Sequence, residues 1–239
     1  MPEYHGAEIF PNKELISSEL QLIRSNDPKD ELGRGAEGPV TRVKIVREGR
    51  EEVMALKETN GQISSLQSNL IVRDILINAG IPTYESFTLL IEDGKDVGIL
   101  MEDLTDNGRN FILSSNEMKL IHFKIQNLLR TTPQIIKTIS EILDATIESF
   151  YKDFDKYTKA SAKAKLKFTL SDCIFWVITP EGKVSAIIGD LGTVQYKNDL
   201  NDEELENHNR HVFQTAIEEL TRLREICREK LSANSALPV

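Results

Sequence analysis

The sequence has only two cysteines, Cys173 and Cys227. They lie far apart with no second pair to complete a zinc ligand set, so neither a disulfide framework nor a metal knuckle is suggested. A reducing compartment fits this usage. No stretch approaches the roughly 18 consecutive apolar residues that a membrane span needs, and Met1-Pro2-Glu3-Tyr4-His5 lacks the basic start and apolar run of a secretory leader. The expectation is a soluble cytoplasmic protein, or one acting in a host cytoplasm if a bacterial injection system delivers it. Basic residues are in the minority. A formal net charge of -9, with acids spread along the whole chain, argues against nucleic acid or an anionic membrane surface as the main partner. Internal repeats and low-complexity segments are also absent. At 239 residues, one two-lobed domain or two modest ones can bury a core without staples.

A short apolar-periodic piece, Leu15 to Ile23, reads as a helix in an N-terminal extension covering residues 1–29. From Leu32 to Leu104 the signals are mostly of strand type. Val40 to Val46 alternates, Glu48-Gly49-Arg50 turns, and Val53 to Lys57 returns as the second strand of a hairpin. A helix is expected over about Ser64 to Ala79, capped by Gly80 with Pro82 beyond it. Two strands, Ser86 to Ile91 and Val97 to Met101, follow across a polar turn. Beyond Leu104 the character changes to helix, from Glu117 to Leu129 and from Pro133 to Tyr151, and a lysine-rich linker runs from Lys156 to Lys167. A hairpin pairing Cys173 to Ile178 with Val184 to Ile188 precedes a long charged helix, roughly Asp202 to Leu231.

The sharpest local signal is Gly33-Arg34-Gly35-Ala36-Glu37-Gly38-Pro39-Val40, a G-x-G-x-x-G-x-V run between two expected strands. A dinucleotide fingerprint would lead from a strand into a helix instead. Glycines let the backbone turn sharply and approach phosphate oxygens without a side chain in the way. Seventeen residues after Val40 stands Lys57, with Ala55 two positions before it on the same strand face. The alanine leaves room for a flat base and the lysine can reach phosphates under the glycine loop. At these residues the sequence resembles the protein kinase superfamily, whose glycine-rich loop and V-A-I-K lysine stand in the same order and at similar distance.

That resemblance covers about Asp30 to Val194, and its fold implication is α+β: a β-rich N-lobe over residues 30–104 and a reduced helical C-lobe over 105–239, with ATP bound between them. It implies ATP contacts at Gly33, Gly35, Gly38, Val40, Ala55 and Lys57, a gatekeeper at Met101, and hinge backbone at Glu102 and Leu104. Asp74 is the best-placed acid to pair with Lys57, a departure because the family uses a glutamate. Gly189-Asp190-Leu191-Gly192 is similar to D-F-G with leucine for phenylalanine, which implies Mg²⁺ at Asp190. Asp172 stands eighteen residues earlier, at the spacing of the catalytic-loop aspartate, and two readings of it remain open: catalytic base, or a capping residue. The loop departs further from H-R-D-L-x-x-x-N, with Leu170 for the histidine and Val177 where a second metal ligand belongs. A gapped alternative shortens the loop, since Cys173 to Ile178 reads as strand. His122 sits on an apolar helix face, and His208 with His211 on an acidic helix reads better as surface than as a metal pair. No A-P-E-like sequence follows Gly192.

The resemblance implies an ATP- and Mg²⁺-dependent phosphotransferase acting on a protein hydroxyl. Its rivals are a pseudokinase that binds nucleotide to engage a protein partner, and a kinase-fold enzyme that transfers AMP or acts on a small molecule.

Overall fold

The computed structural model describes residues 14–16, 21–25, 27–35, 38–47, 49–58, 63–92, 95–114, 118–119, 121 and 133–235. The fold is α+β, with a mostly antiparallel sheet in the N-terminal part and long helices in the C-terminal part. Two compact units divide the chain: Met1–Arg73 with Tyr84–Asp103, and Asp74–Thr83 with Leu104–Val239. Among the described residues no helix is long and apolar enough to cross a membrane.

The first unit is built on strands β1 (Glu14–Ile16), β2 (Gln21–Arg24), β3 (Glu31–Gly35), β4 (Gly38–Arg47), β5 (Arg50–Glu58), β6 (Phe87–Glu92) and β7 (Lys95–Glu102). They lie in the order β1-β6-β7-β5-β4-β2, with β3 also paired to β4. Only β1 runs parallel to its neighbour; the other pairings are antiparallel. Alternation along β4 decides the packing: Val43 and Ile45 join Met54, Leu56, Leu90 and Leu100 in a core on one face, with Leu22 against it. The sheet cannot be flat. Five Cα steps from Ile16 to Gln21 reach at most about 19 Å, whereas the five inter-strand spacings from β1 to β2 would span about 24 Å if laid flat. The piece Leu15 to Ile23, expected as a helix, is therefore strand wherever it is described. The apolar spacing suits a helix, but β4 and β6 offer backbone partners that a helix would leave unpaired, and this non-local pairing decides the outcome.

Helix α1 (Ile63–Asn78) ends as expected at Gly80, whose φ is +69°. The Gly80 amide donates to Ile77 O and the Ile81 amide to Leu76 O, both at 2.9 Å, which together close a Schellman motif.

In the second unit, α2 (Pro133–Lys163) packs against α3 (Asp202–Ser235). Pro133 opens α2 as expected, but the helix continues past Tyr151 and absorbs the lysine-rich stretch to Lys163. Phe154, Thr158, Ser161 and Ala162 are buried at helical spacing, so an inward stripe carries through what reads as a polar linker. Asn201 caps α3: its side chain accepts from the Glu204 amide at 2.9 Å, and its own amide donates to the Glu204 carboxylate at 3.1 Å. Of the helix expected over Glu117 to Leu129, Met118, Lys119 and Ile121 are helical; the rest, including His122, lies outside the described residues.

Three further strands and the expected hairpin complete this unit. The strand β8 (Phe111–Leu113) pairs with β10 (Ile174–Ile178), which pairs in turn with β11 (Val184–Ile188), while β9 (Leu166–Phe168) pairs with β12 (Val194–Tyr196). Phe150, Phe154, Phe168 and Phe213 form an aromatic core, with Trp176 edge-on to Phe150 at a centroid distance of 6.2 Å.

Candidate functional site

In the first unit the glycine run is a hairpin, with Gly35 paired to Gly38 where β3 turns into β4. The chain thus passes from strand to strand through the glycines, and Ala36 and Glu37 at the tip lie outside the described residues. The glycines differ in what they do. At Gly33 a Cβ would meet nothing within 4 Å, so space is open there. Gly38 has a φ of +146°, and a Cβ on it would stand 2.7 Å from Glu58 O at the end of β5, so its backbone conformation and the neighbouring strand demand glycine.

Register places the other expected residues on one sheet face. Val40 pairs with Lys57, and Lys57 with Ile99; Ala55 pairs with Met101 one row along. Val40, Ala55, Lys57 and Met101 therefore share the face opposite the Val43–Leu56 core. Glu102 points to the other face, where its carboxylate accepts from the Glu85 amide at 2.8 Å, and its own amide donates to Ser86 O. Leu104, in the second unit, has its carbonyl engaged by the Asn110 side chain at 3.0 Å. Asp74, the only acid in α1, is half-buried and falls in the second unit, whereas Lys57 falls in the first.

In the second unit Asp172 and Asp190 come together. Asp172 lies in a short 3-10 turn, Ser171–Cys173, that leads directly into β10; Asp190 follows β11 and caps the turn Leu191–Thr193 by accepting from the Gly192 amide at 3.2 Å. Cys173 O accepts from the amides of both Gly189 and Asp190, at 2.8 and 3.3 Å, so the two aspartates flank one closed hairpin end. Glycine is required at 189, where a Cβ would stand 2.1 Å from the Phe175 ring. Burial and the neighbouring Asp190 push the Asp172 carboxyl above the usual range, with Lys119 opposing and Glu219 adding to the rise. Asp172 Oδ1 is buried and has no hydrogen-bond partner.

The segments on either side of this end are stitched together. Thr169 donates to Thr193 O through both its amide and its hydroxyl, at 2.9 and 2.7 Å, and Thr193 Oγ1 donates to Asp190 O at 2.8 Å. Asn209 of α3, fully buried, donates to Leu166 O and Ser161 Oγ and accepts from the Phe168 amide, so β9 is pinned to both helices. Its neighbour His208 bonds Phe168 O at 2.7 Å through Nε2, while His211 is exposed. Val177 is buried in mid-β10 opposite Ser185 and offers no oxygen. With β10 starting at Ile174, only Cys173 separates Asp172 from the strand.

Sequence reasoning missed an ion cluster in the first unit. Arg42 donates from Nε to Asp103 at 2.8 Å and from Nη1 to Asp30 at 2.9 Å. The available signal was parity: Arg42 is two residues from Val40 and hence on the Ala55 and Lys57 face, an odd place for an unpaired cation. Asn209 gave no comparable signal, because an asparagine among helix charges looks solvated. Compared with known proteins, the chain matches no family model and no curated protein.

Proposed function

We propose that the chain is an ATP- and Mg²⁺-dependent phosphotransferase acting on a protein hydroxyl, with a reduced kinase-like architecture. The observation that carries this reading is the carboxylate pair Asp172 and Asp190 at one hairpin end, with a buried Asp172 oxygen left without a partner. Two carboxylates forced together suit a hard divalent cation, which takes one or two of them and lets phosphate oxygens complete its shell. The strand order, with a glycine hairpin of β3 and β4, a lysine on β5 and a helix before β6 and β7, supports the kinase-like part.

In this reading Lys57 is a point charge for the phosphates, and Gly33 lends backbone where a side chain would intrude. Asp190 would hold Mg²⁺. The ion, when bound, supplies neutralisation of the charge that builds on the transferring phosphoryl group. Asp172 orients the acceptor hydroxyl and takes its proton, a task that a carboxyl raised by burial and by Asp190 performs better than an ordinary one. Glu102 contributes backbone rather than carboxylate, since its side chain is turned to the opposite face. Nothing in Val177 can replace a second protein ligand, and that favours one rival, a pseudokinase that binds nucleotide without transfer.

ATP labelled separately at the α- and γ-phosphates separates the readings. Transfer of the γ label is expected, with Asp190→Asn abolishing it and Lys57→Ala lowering it by about 10²- to 10³-fold, the usual loss for one electrostatic contact to the transition state. Transfer of the α label would mean AMP transfer. Binding without transfer would establish the pseudokinase, and no thermal stabilisation by millimolar Mg·ATP would end the nucleotide reading altogether.

A further inference from the structure

Arg42 stands on β4 opposite Ala55 of β5, and Ala55 stands opposite Met101 of β7. Its guanidinium nevertheless reaches Asp103, two residues beyond Met101, so the side chain crosses β5 on the face that carries Val40, Ala55 and Lys57. A large residue at 55 would stand in that path, and alanine leaves it clear. Asp103 is almost fully buried, with 4 % of its side chain exposed against 17 % for Arg42 and 25 % for Asp30. Buried ion pairs seldom raise stability above what apolar residues of the same volume would give, so packing does not explain this one. What the pair does fix is the exit of β7: Asp103 is tied across β5 to β4, and Glu102 is held beside it. The Ser25 hydroxyl and Arg42 keep Asp30 below its usual value, so the cluster holds two anions on one cation.

We propose that Arg42 is the positioning residue for the base end of the nucleotide site: it spans the place above Ala55 and fixes the Glu102 backbone through Asp103. This rests on the ATP reading above and revises the part that the resemblance gives Ala55, which makes room for a guanidinium. Lys57 serves the phosphates and Arg42 the base, so the two residues fail differently.

The experiment measures binding of adenosine, Mg·ATP and Mg·tripolyphosphate to the full chain by calorimetry, for the unaltered protein, R42K and R42M/D103N. The paired variant removes the Arg42 and Asp103 charges together, so that the almost fully buried Asp103 carboxylate is not stranded and only the more exposed Asp30 loses this partner. Both variants are expected to bind adenosine and ATP about tenfold more weakly, because a lysine cannot reproduce the two-pronged geometry. Tripolyphosphate binding is expected to stay unchanged. Equal loss for all three ligands, unaltered adenosine binding in a folded variant, or loss of cooperative unfolding in both variants would overturn the proposal. If the unaltered chain binds neither ATP nor tripolyphosphate, the ATP reading falls and takes this one with it; if it binds ATP and the variants match it, only the role of Arg42 falls.

Discussion

The Glu102 carboxylate is half-buried, accepts from the Glu85 amide at 2.8 Å and feels the positive charge of Arg73, yet its pKa is pushed up because burial outweighs both and the Glu85 carboxylate adds to the rise. A carboxyl whose folded value exceeds its unfolded one binds its proton more tightly in the folded state. Its contribution to stability is therefore present at low pH and lost as pH rises from the ordinary carboxylate value through the raised one. Glu102→Gln keeps an oxygen for the Glu85 amide and carries no charge. The variant is expected to melt at a higher temperature than the unaltered chain at neutral pH, with the gap closing as pH falls below the ordinary glutamate value. Melting curves across that range check it, and a gap independent of pH would show that the amide bond, rather than burial of charge, governs this site.

The β10–β11 hairpin makes the corresponding point for an element. Gly189 joins it to Asp190, and a Cβ there would press into Phe175 at 2.1 Å, with further ring atoms at 2.5 and 2.6 Å. The whole ring would have to swing. Gly189→Ala should therefore cost about 1–3 kcal/mol, as overpacking does, and should lower the urea midpoint; an unchanged midpoint would mean that Phe175 moves freely. This hairpin was legible in the sequence, as were the β4–β5 hairpin, the Gly80 cap of α1 and the start of α3 at Asp202, because each is written in residues that lie close together. What stayed hidden is non-local. The strands β1 and β2 exist because edges of β6 and β4 await them, β9 and β12 because they meet each other, and the end of α2 because Phe154 and Ser161 face a core that its lysines conceal. The candidate site divides the same way. Gly33, Lys57 and Asp190 are nominated by motif spacing alone, whereas the neighbourhood of Asp172 and Asp190 follows from the hairpin. The Arg42–Asp103 pair joins residues 61 apart: parity places Arg42 on its face, but nothing local names its partner.

Chain order and compact units do not coincide in this protein. The second unit takes in Asp74–Thr83, a segment that precedes two strands of the first, besides everything from Leu104 onward. The early segment is built into the later fold: the Ile188 amide donates to Pro82 O at 2.8 Å, Thr83 Oγ1 donates to Ile188 O at 2.8 Å, and Ile81 lines a small apolar cavity with Phe150, Ile174 and Phe213. A cut between Asp103 and Leu104, where a sequence-based domain border would fall, therefore strips the second unit of a piece of its own core. Losing two hydrogen bonds costs about 1 kcal/mol each, and losing the burial of Leu76 and Ile81 about 1.5–3 kcal/mol each. The sum is comparable to the whole stability of a small domain, about 5–15 kcal/mol. Residues 104–239 made alone should unfold at a much lower urea concentration than the same residues preceded by 74–83 on a flexible linker, and should expose the free edge of β11 to association. Equal midpoints for the two fragments, followed by circular dichroism, would show that the segment is an ornament. A large gap would also bear on the site, because β11 carries Gly189 and Asp190 at its end.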